Sequence, residues 1–98
     1  MVIVSKPVLL YSLRHSRLSL KQPLAVSLEY EEDQVIAYAH DLDVFGYGEN
    51  ESEALDDLRR TVVDLYLELQ EHSHDLADAA RAIWRYLSQI VNDGEHKS

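Results

Sequence analysis

Residues 41–55 read DLDVFGYGENESEAL and hold several of the residue types in this chain most suited to chemistry. Gly46 and Gly48 flank a tyrosine just ahead of a helix-like stretch, and a glycine-rich turn feeding a helix can hold a phosphate on bare N–H groups. His40, Asp41 and Asp43 place an imidazole and two carboxylates close together, a start toward the Mg²⁺ site of a nuclease. His72, Ser73, His74 and Asp75 set two imidazoles beside an acid, which with His15, His40 or His96 would approach a Zn²⁺ ligand set.

Each reading meets a physical objection. Glu51, Glu53, Asp56 and Asp57 already occupy the first helical turns, and no Lys or Arg lies between Lys21 and Arg59, so carboxylates take the electropositive end. The glycines are better read as letting a short strand bend or another backbone approach. A Mg²⁺ nuclease draws carboxylates from separate strands and a helix, whereas Asp41 and Asp43 sit together at one strand end, as in an acidic loop. With no cysteine in the chain, the histidine pair reads as a polar connection between helices. G-x-S-x-G, P-loop and dinucleotide fingerprints are all missing. The expectation is a chain without catalytic residues, cofactor or metal.

The elements that would position these residues follow from hydropathy periods. Leu24, Val26, Leu28 and Tyr30 alternate with Ala25, Ser27 and Glu29, the pattern of a half-buried strand. Glu31, Glu32, Asp33 and Gln34 make a polar turn into a second strand, Val35 to Ala39, and a third short strand covers Val44 to Gly48. Val8 to Leu13 reads as a further edge strand. A first helix carries Leu55, Leu58, Val62, Leu65, Tyr66 and Leu69 at helical spacing, with Asn50 and Glu53 as a capping box. A second helix, capped by Asp75 and closed by Gly94, carries Leu76, Ala80, Ile83, Trp84, Leu87, Ile90 and Val91. The predicted class is α+β: an antiparallel three- to four-stranded sheet in β-β-β-α-α order with helices packed on it. One domain spans 1–98, with an amino-terminal strand or arm over 1–21 and the carboxy-terminal helix over 75–92.

Ninety-eight residues suit a single domain with a modest core. Short apolar runs broken by Ser5, Lys6 and Pro7 do not make a signal peptide, so a soluble cytoplasmic protein is expected. The net charge of −9 is uneven: residues 1–28 carry +4 and residues 29–98 carry −13. Such an acidic bulk repels nucleic acid and suits a basic protein partner. Four spread cations with few aromatics fall short of a nucleic-acid patch, though they could meet the acidic surface of a sister chain.

Over residues 24–70 the order of pieces resembles the HicB-like antitoxin family. Asp41-Leu42 follows the second strand, Gly48-Glu49-Asn50 forms the turn, Glu53-Ala54-Leu55 opens the helix and Leu65-Tyr66-Leu67-Glu68 lies near its end. The resemblance implies a truncated RNase H-like fold without nuclease activity. It also implies neutralisation of a small basic ribonuclease toxin, typically HicA, and homo-oligomerisation. Asp43-Val44-Phe45 stands where the family has Pro-Gly-Cys, and one short helix leaves no room for the carboxy-terminal DNA-binding module many members carry. No direct DNA binding and no membrane association are expected.

The expected toxin-binding acids are Glu29, Glu31, Glu32, Asp33, Glu49 and Glu51. Val35 to Ala39 is apolar on both faces, so either the second helix or another subunit should cover the sheet's far side. A homodimer or higher homo-oligomer anchored by Tyr38, Phe45, Tyr47 and Trp84 is expected, with Trp84 also suited to an internal core. Two other readings compete: a stand-alone homo-oligomeric adaptor of the same fold, and a residual Mg²⁺ nuclease dependent on Asp41.

Overall fold

The structure, a computed structural model, describes residues 4–94, with Val4 described by its backbone alone. The elements are β1 (Val4–Leu10), β2 (Leu18–Leu20), β3 (Leu24–Tyr30), β4 (Val35–Ala39), β5 (Val44–Gly48), α1 (Glu51–Glu71), α2 (Asp78–Ile90) and β6 (Val91–Asp93). The first, third, fourth and fifth strands form an antiparallel sheet in the order β1-β3-β4-β5, and β2 pairs with β6 in a separate two-stranded ribbon. The α+β class and the four-stranded antiparallel sheet with helices packed on it are those read from the sequence. β3, β4 and β5 also keep the boundaries their alternation predicts.

The period-two pattern selects the buried face. Val26 pairs with Ala39, Leu28 with Ala37 and Tyr30 with Val35, so these side chains share one side of the sheet. Leu24, Leu28, Ala37 and Ala39 are fully buried there, together with Leu58 and Val62 of α1. Complete burial of a leucine contributes roughly 1.5–3 kcal/mol relative to exposure.

Side-chain size across that face decides where α1 lies. β3 presents Leu24, Val26 and Leu28, whereas β4 and β5 present Ala37, Ala39, Gly46 and Gly48 on their inner side. The helix settles over the small residues. A Cβ built at Gly46 would lie 2.7 Å from Leu58 Cα and closer still to Ala54 O and Leu58 N. One at Gly48 would lie 2.5 Å from Ala54 N. Of the two roles expected for these glycines, close approach of another backbone is the one observed, and that backbone belongs to α1.

Asn50 caps α1 as its sequence suggests: Asn50 Oδ1 accepts from the Glu53 N–H at 2.9 Å. The reciprocal bond is shifted by one residue, because Glu53 Oε1 accepts from the Glu49 N–H at 2.9 Å. The first bond satisfies an orphan donor within the first turn and the second a donor just ahead of it, and together they tie the connection after β5 to the helix.

Three local expectations are corrected. The edge strand begins earlier than Val8 and ends at Leu10, where pairing with Leu24 stops. Asp75 does not cap α2: its N–H donates to His72 O in the inter-helix turn, and the helix starts at Asp78 after an extended Ala77 without a side-chain cap. Gly94 does not close α2 in a left-handed conformation. The helix ends at Ile90, and Val91–Asp93 becomes β6, paired with Leu18–Leu20. The Gly94 N–H donates to Arg17 O, and the Lys21 N–H to Ile90 O, so the ribbon ties the end of α2 to the loop after β1. The tail from Glu95 onward and the first residues of the amino-terminal arm lie outside the described residues.

The helix seat gives a direct test. Gly46→Ala should destabilise the chain by about 2–3 kcal/mol through overpacking against α1 backbone, read from denaturant midpoints. Gly94→Ala, where a Cβ would lie 3.1 Å from Arg17 O, should cost less. Equal effects would contradict the seat.

Candidate functional site

The six carboxylates expected to bind a partner are brought to one end of the sheet by its register. Tyr30 pairs with Val35 and Val35 with Gly48, so the 31–34 turn lies beside the 49–50 connection into α1. The turn is closed by the Glu31 N–H donating to Gln34 O and by Gln34 Nε2 donating to Glu31 Oε1 at 3.0 Å. Glu32 and Asp33 of this turn and Glu49 of the neighbouring connection are exposed. Glu29 is half-buried and stands on the sheet's outer face, opposite Ile36. Among the described residues, none of Glu29, Glu31, Glu32, Asp33 and Glu49 has a cation within ion-pair distance.

Glu51 is different. Tyr30 Oη donates to it and Lys6 Nζ lies 3.9 Å away, so this carboxylate serves the junction of β1, β3 and α1. Other amino-terminal cations also pair within the chain. Arg17 Nε lies 3.1 Å from Asp93 Oδ1 and Arg14 Nη1 3.4 Å from Asp56 Oδ1.

The four aromatic residues expected at an oligomer interface divide into two sets. Tyr38 pairs with Phe45 across β4 and β5, with ring centroids 4.4 Å apart and planes 23° from parallel. Phe45 continues to Tyr47 at 6.3 Å, and His40 meets the Tyr38 edge at 4.4 Å. This ladder lies on the outer face, where Phe45 remains 41% exposed, Tyr47 51% and Leu9 52%. Trp84 lies instead against Tyr66 of α1, 5.1 Å between centroids, half-buried and packed on the edge of the chain's own core. The second helix therefore does not cover the outer face; its apolar side faces α1 and the ribbon.

The residues that suggested metal chemistry each turn to a different neighbour. Tyr86 Oη donates to Asp41 Oδ2 at 3.1 Å, Tyr38 Oη to Asp43 Oδ1 at 2.8 Å, and His40 Nε2 meets Ser27 Oγ at 2.5 Å. Asp43 adopts a left-handed backbone, φ 56°, which an aspartate enters at a tight strand connection. His72 and His74 stand exposed in the inter-helix turn. His96 lies outside the described residues. Among the described residues no group of three His, Asp or Glu side chains converges as a metal site.

The Ser27–His40 contact was not visible in the sequence, since 13 positions separate them and only the β3–β4 register joins them. It borders a shallow groove of about 360 Å³ lined by Pro7, Leu9 and Ala25. Acyl transfer would need an orienting acceptor on the other histidine nitrogen and N–H donors aimed at an oxyanion. Among the described residues no acceptor meets His40 Nδ1, and Ser27 sits mid-strand between Pro7 and Tyr38. The contact is a cross-strand hydrogen bond.

Four tyrosine hydroxyls are held protonated. Tyr30 and Tyr38 are raised chiefly by donating to Glu51 and Asp43. Tyr66 and Tyr86 are raised chiefly by burial, with Asp93 and Asp41 adding to the effect. A group raised in the folded state stabilises fully below its unfolded value, about 10 for tyrosine, and that contribution is lost as pH rises through the folded value. The midpoint of the native tyrosinate absorbance should therefore lie above pH ~10, the free-tyrosine value, while the denaturation midpoint falls as pH rises through it. Full ionisation at the free-tyrosine value in a folded chain would contradict these bonds.

Comparison of the chain with protein-family models, with curated proteins and with solved structures finds no match.

Proposed function

We propose that this chain is a non-enzymatic, HicB-like antitoxin that binds and neutralises a small basic ribonuclease toxin in the cytoplasm. The observation that carries the reading is the sheet end where Glu29, Glu31, Glu32, Asp33 and Glu49 gather with no cation paired to them among the described residues. Carboxylates left without an intramolecular cation present an uncompensated negative field, which steers a basic protein and holds it by charge-assisted bonds. The resemblance over residues 24–70 supplies the identity of that partner class. Glu51 supports the surface indirectly, through Tyr30 and Lys6, rather than offering a free carboxylate.

The strand edges favour docking through this end over strand addition. Tyr47 N–H, on the edge strand β5, donates to Asp57 Oδ2 at 2.9 Å, and Pro7 on the opposite edge has no N–H to offer. Edges blunted in this way resist pairing with another chain. Among the described residues no helix is long and apolar enough to cross a membrane.

A second reading rests on the outer face. An aromatic ladder flanked by exposed Leu9 suits burial against another copy of the chain, as a homodimeric adaptor would require. Self-association is compatible with toxin binding, because the acidic turn lies at the sheet end rather than in the middle of the ladder.

Two measurements separate these readings. Co-expression with a small basic ribonuclease toxin of the HicA type should rescue the growth that the toxin alone arrests and yield a complex. Charge reversal at Glu32, Asp33 and Glu49 should slow association about tenfold or more at low salt. Failure of both rescue and complex formation removes the antitoxin reading. Sedimentation of the isolated chain should give a dimer, and Phe45→Glu should give a folded monomer; a monomeric native chain removes the adaptor reading.

A further inference from the structure

We propose that the cleft between the β1–β2 loop and the middle of α1 binds the phosphate group of a small phosphomonoester. The cleft encloses about 370 Å³. It stands apart from the acidic sheet end, and its ligand is independent of the toxin reading.

The chain collects positive charge here against its overall trend. Arg14 and His15 come from the loop, and Arg59 and Arg60 come from α1, some 45 positions later. The three guanidinium groups face two carboxylates, Asp56 and Asp57, so the cleft is net positive in a chain of net charge −9. Buried Leu13 and Val63 line its apolar portion.

The donors are positioned in advance. Arg59 Nε donates to Ser12 O at 3.0 Å and Arg59 Nη1 to Asp56 Oδ1 at 2.5 Å, which fixes the guanidinium and leaves Nη2 for a ligand. Arg14 holds a left-handed backbone, φ 50°, with its N–H donating to Ser12 Oγ. Non-glycine residues in that region are uncommon and tend to cluster at ligand clamps. His15 Nδ1 accepts from the Arg17 and Leu18 N–H groups, both at 3.1 Å. A neutral ring accepting at Nδ1 carries its proton on Nε2, which adds a fourth donor at the cleft.

Asp56 shows which chemistry this constellation prefers. Its carboxylate spans Arg14 and Arg59 and remains about half exposed, so the chain's own oxyanion already occupies part of the recognition geometry. An incoming anion must exceed that internal competitor in charge and acceptor number. A phosphate group does so, with close to two charges and three terminal oxygens against one charge and two oxygens. Planar guanidinium groups match those oxygens in pairs. A cleft of this volume has room beyond the phosphate, and Leu13 and Val63 offer apolar contact to an organic group attached to it. A long polyanion such as RNA is disfavoured, since residues 29–98 carry −13.

The test is a titration of the full chain with adenosine monophosphate and, separately, with inorganic phosphate at low ionic strength, followed by NMR and calorimetry. Saturable shifts confined to Arg14, His15, Arg59 and Arg60 are expected, weakening as salt is added. Tighter binding of the monoester identifies an esterified ligand, and equal binding assigns the site to free phosphate. Arg14→Ala with Arg60→Ala should weaken binding about tenfold or more. Both side chains are about two-thirds exposed, so the fold, checked by circular dichroism, should persist. Asp56→Asn should tighten binding by removing the internal competitor. Non-saturating shifts spread equally to Lys21, Arg81 and Arg85, or an unchanged affinity in the double variant, would overturn the proposal.

Discussion

The contact between α1 and β5 governs much of this architecture. Helix and strand are linked by a two-residue connection, so the helix must fold back directly over the strand it has just left. That is sterically possible because Gly46 and Gly48 present no Cβ where Ala54, Leu58 and Glu53 approach. A helix ordinarily stands off a sheet on a cushion of interdigitating side chains. Here the cushion is thinned by Gly46, Gly48, Ala37 and Ala39, while β3 contributes the fully buried Leu24 and Leu28. Moving the helix so close also lets its polar side chains reach the strand: Asp57 receives the Tyr47 N–H, and Glu53 receives the Glu49 N–H.

From that seat the available surfaces follow. With the inner face filled by α1, and with Asp57 on one edge and Pro7 on the other, two regions of the sheet remain open to a partner. One is the outer face, where Tyr38, Phe45 and Tyr47 stack in a row. The other is the acidic end, where the 31–34 turn and the start of α1 come together. A third surface forms where the β1–β2 loop reaches the side of α1 and brings Arg14 and His15 to Arg59 and Arg60. These surfaces differ in chemistry: apolar, anionic and cationic.

Much of this was legible in the sequence, for a physical reason. Strict alternation through Leu24–Tyr30 leaves one register that buries the leucines, and a slip by one residue would expose them all. Asn50 followed by Glu53 marks a helix start whose chemistry is local. The acidic end was equally legible, because hairpin geometry places the two turns side by side once β4 and β5 are assigned. What escaped depends on distant pairing. Val91–Asp93 is too short to read as a strand, and it becomes one through Leu18–Leu20 some 70 positions earlier. The cationic cleft was hidden for the same reason, since Arg14 and Arg59 meet only in three dimensions. Trp84 was ambiguous because an aromatic on an amphipathic helix suits a core and an interface equally; within the chain it is half-buried and packs against Tyr66.

The closeness of α1 to β5 can be measured in solution without perturbing the chain. Proton–proton Overhauser contacts from the two Gly46 Hα atoms report their neighbours directly. The account predicts strong cross-peaks from Gly46 Hα to the Leu58 amide and to the protons of Ala54. Gly46 Hα signals without contacts to α1, in a chain that is otherwise folded, would contradict it.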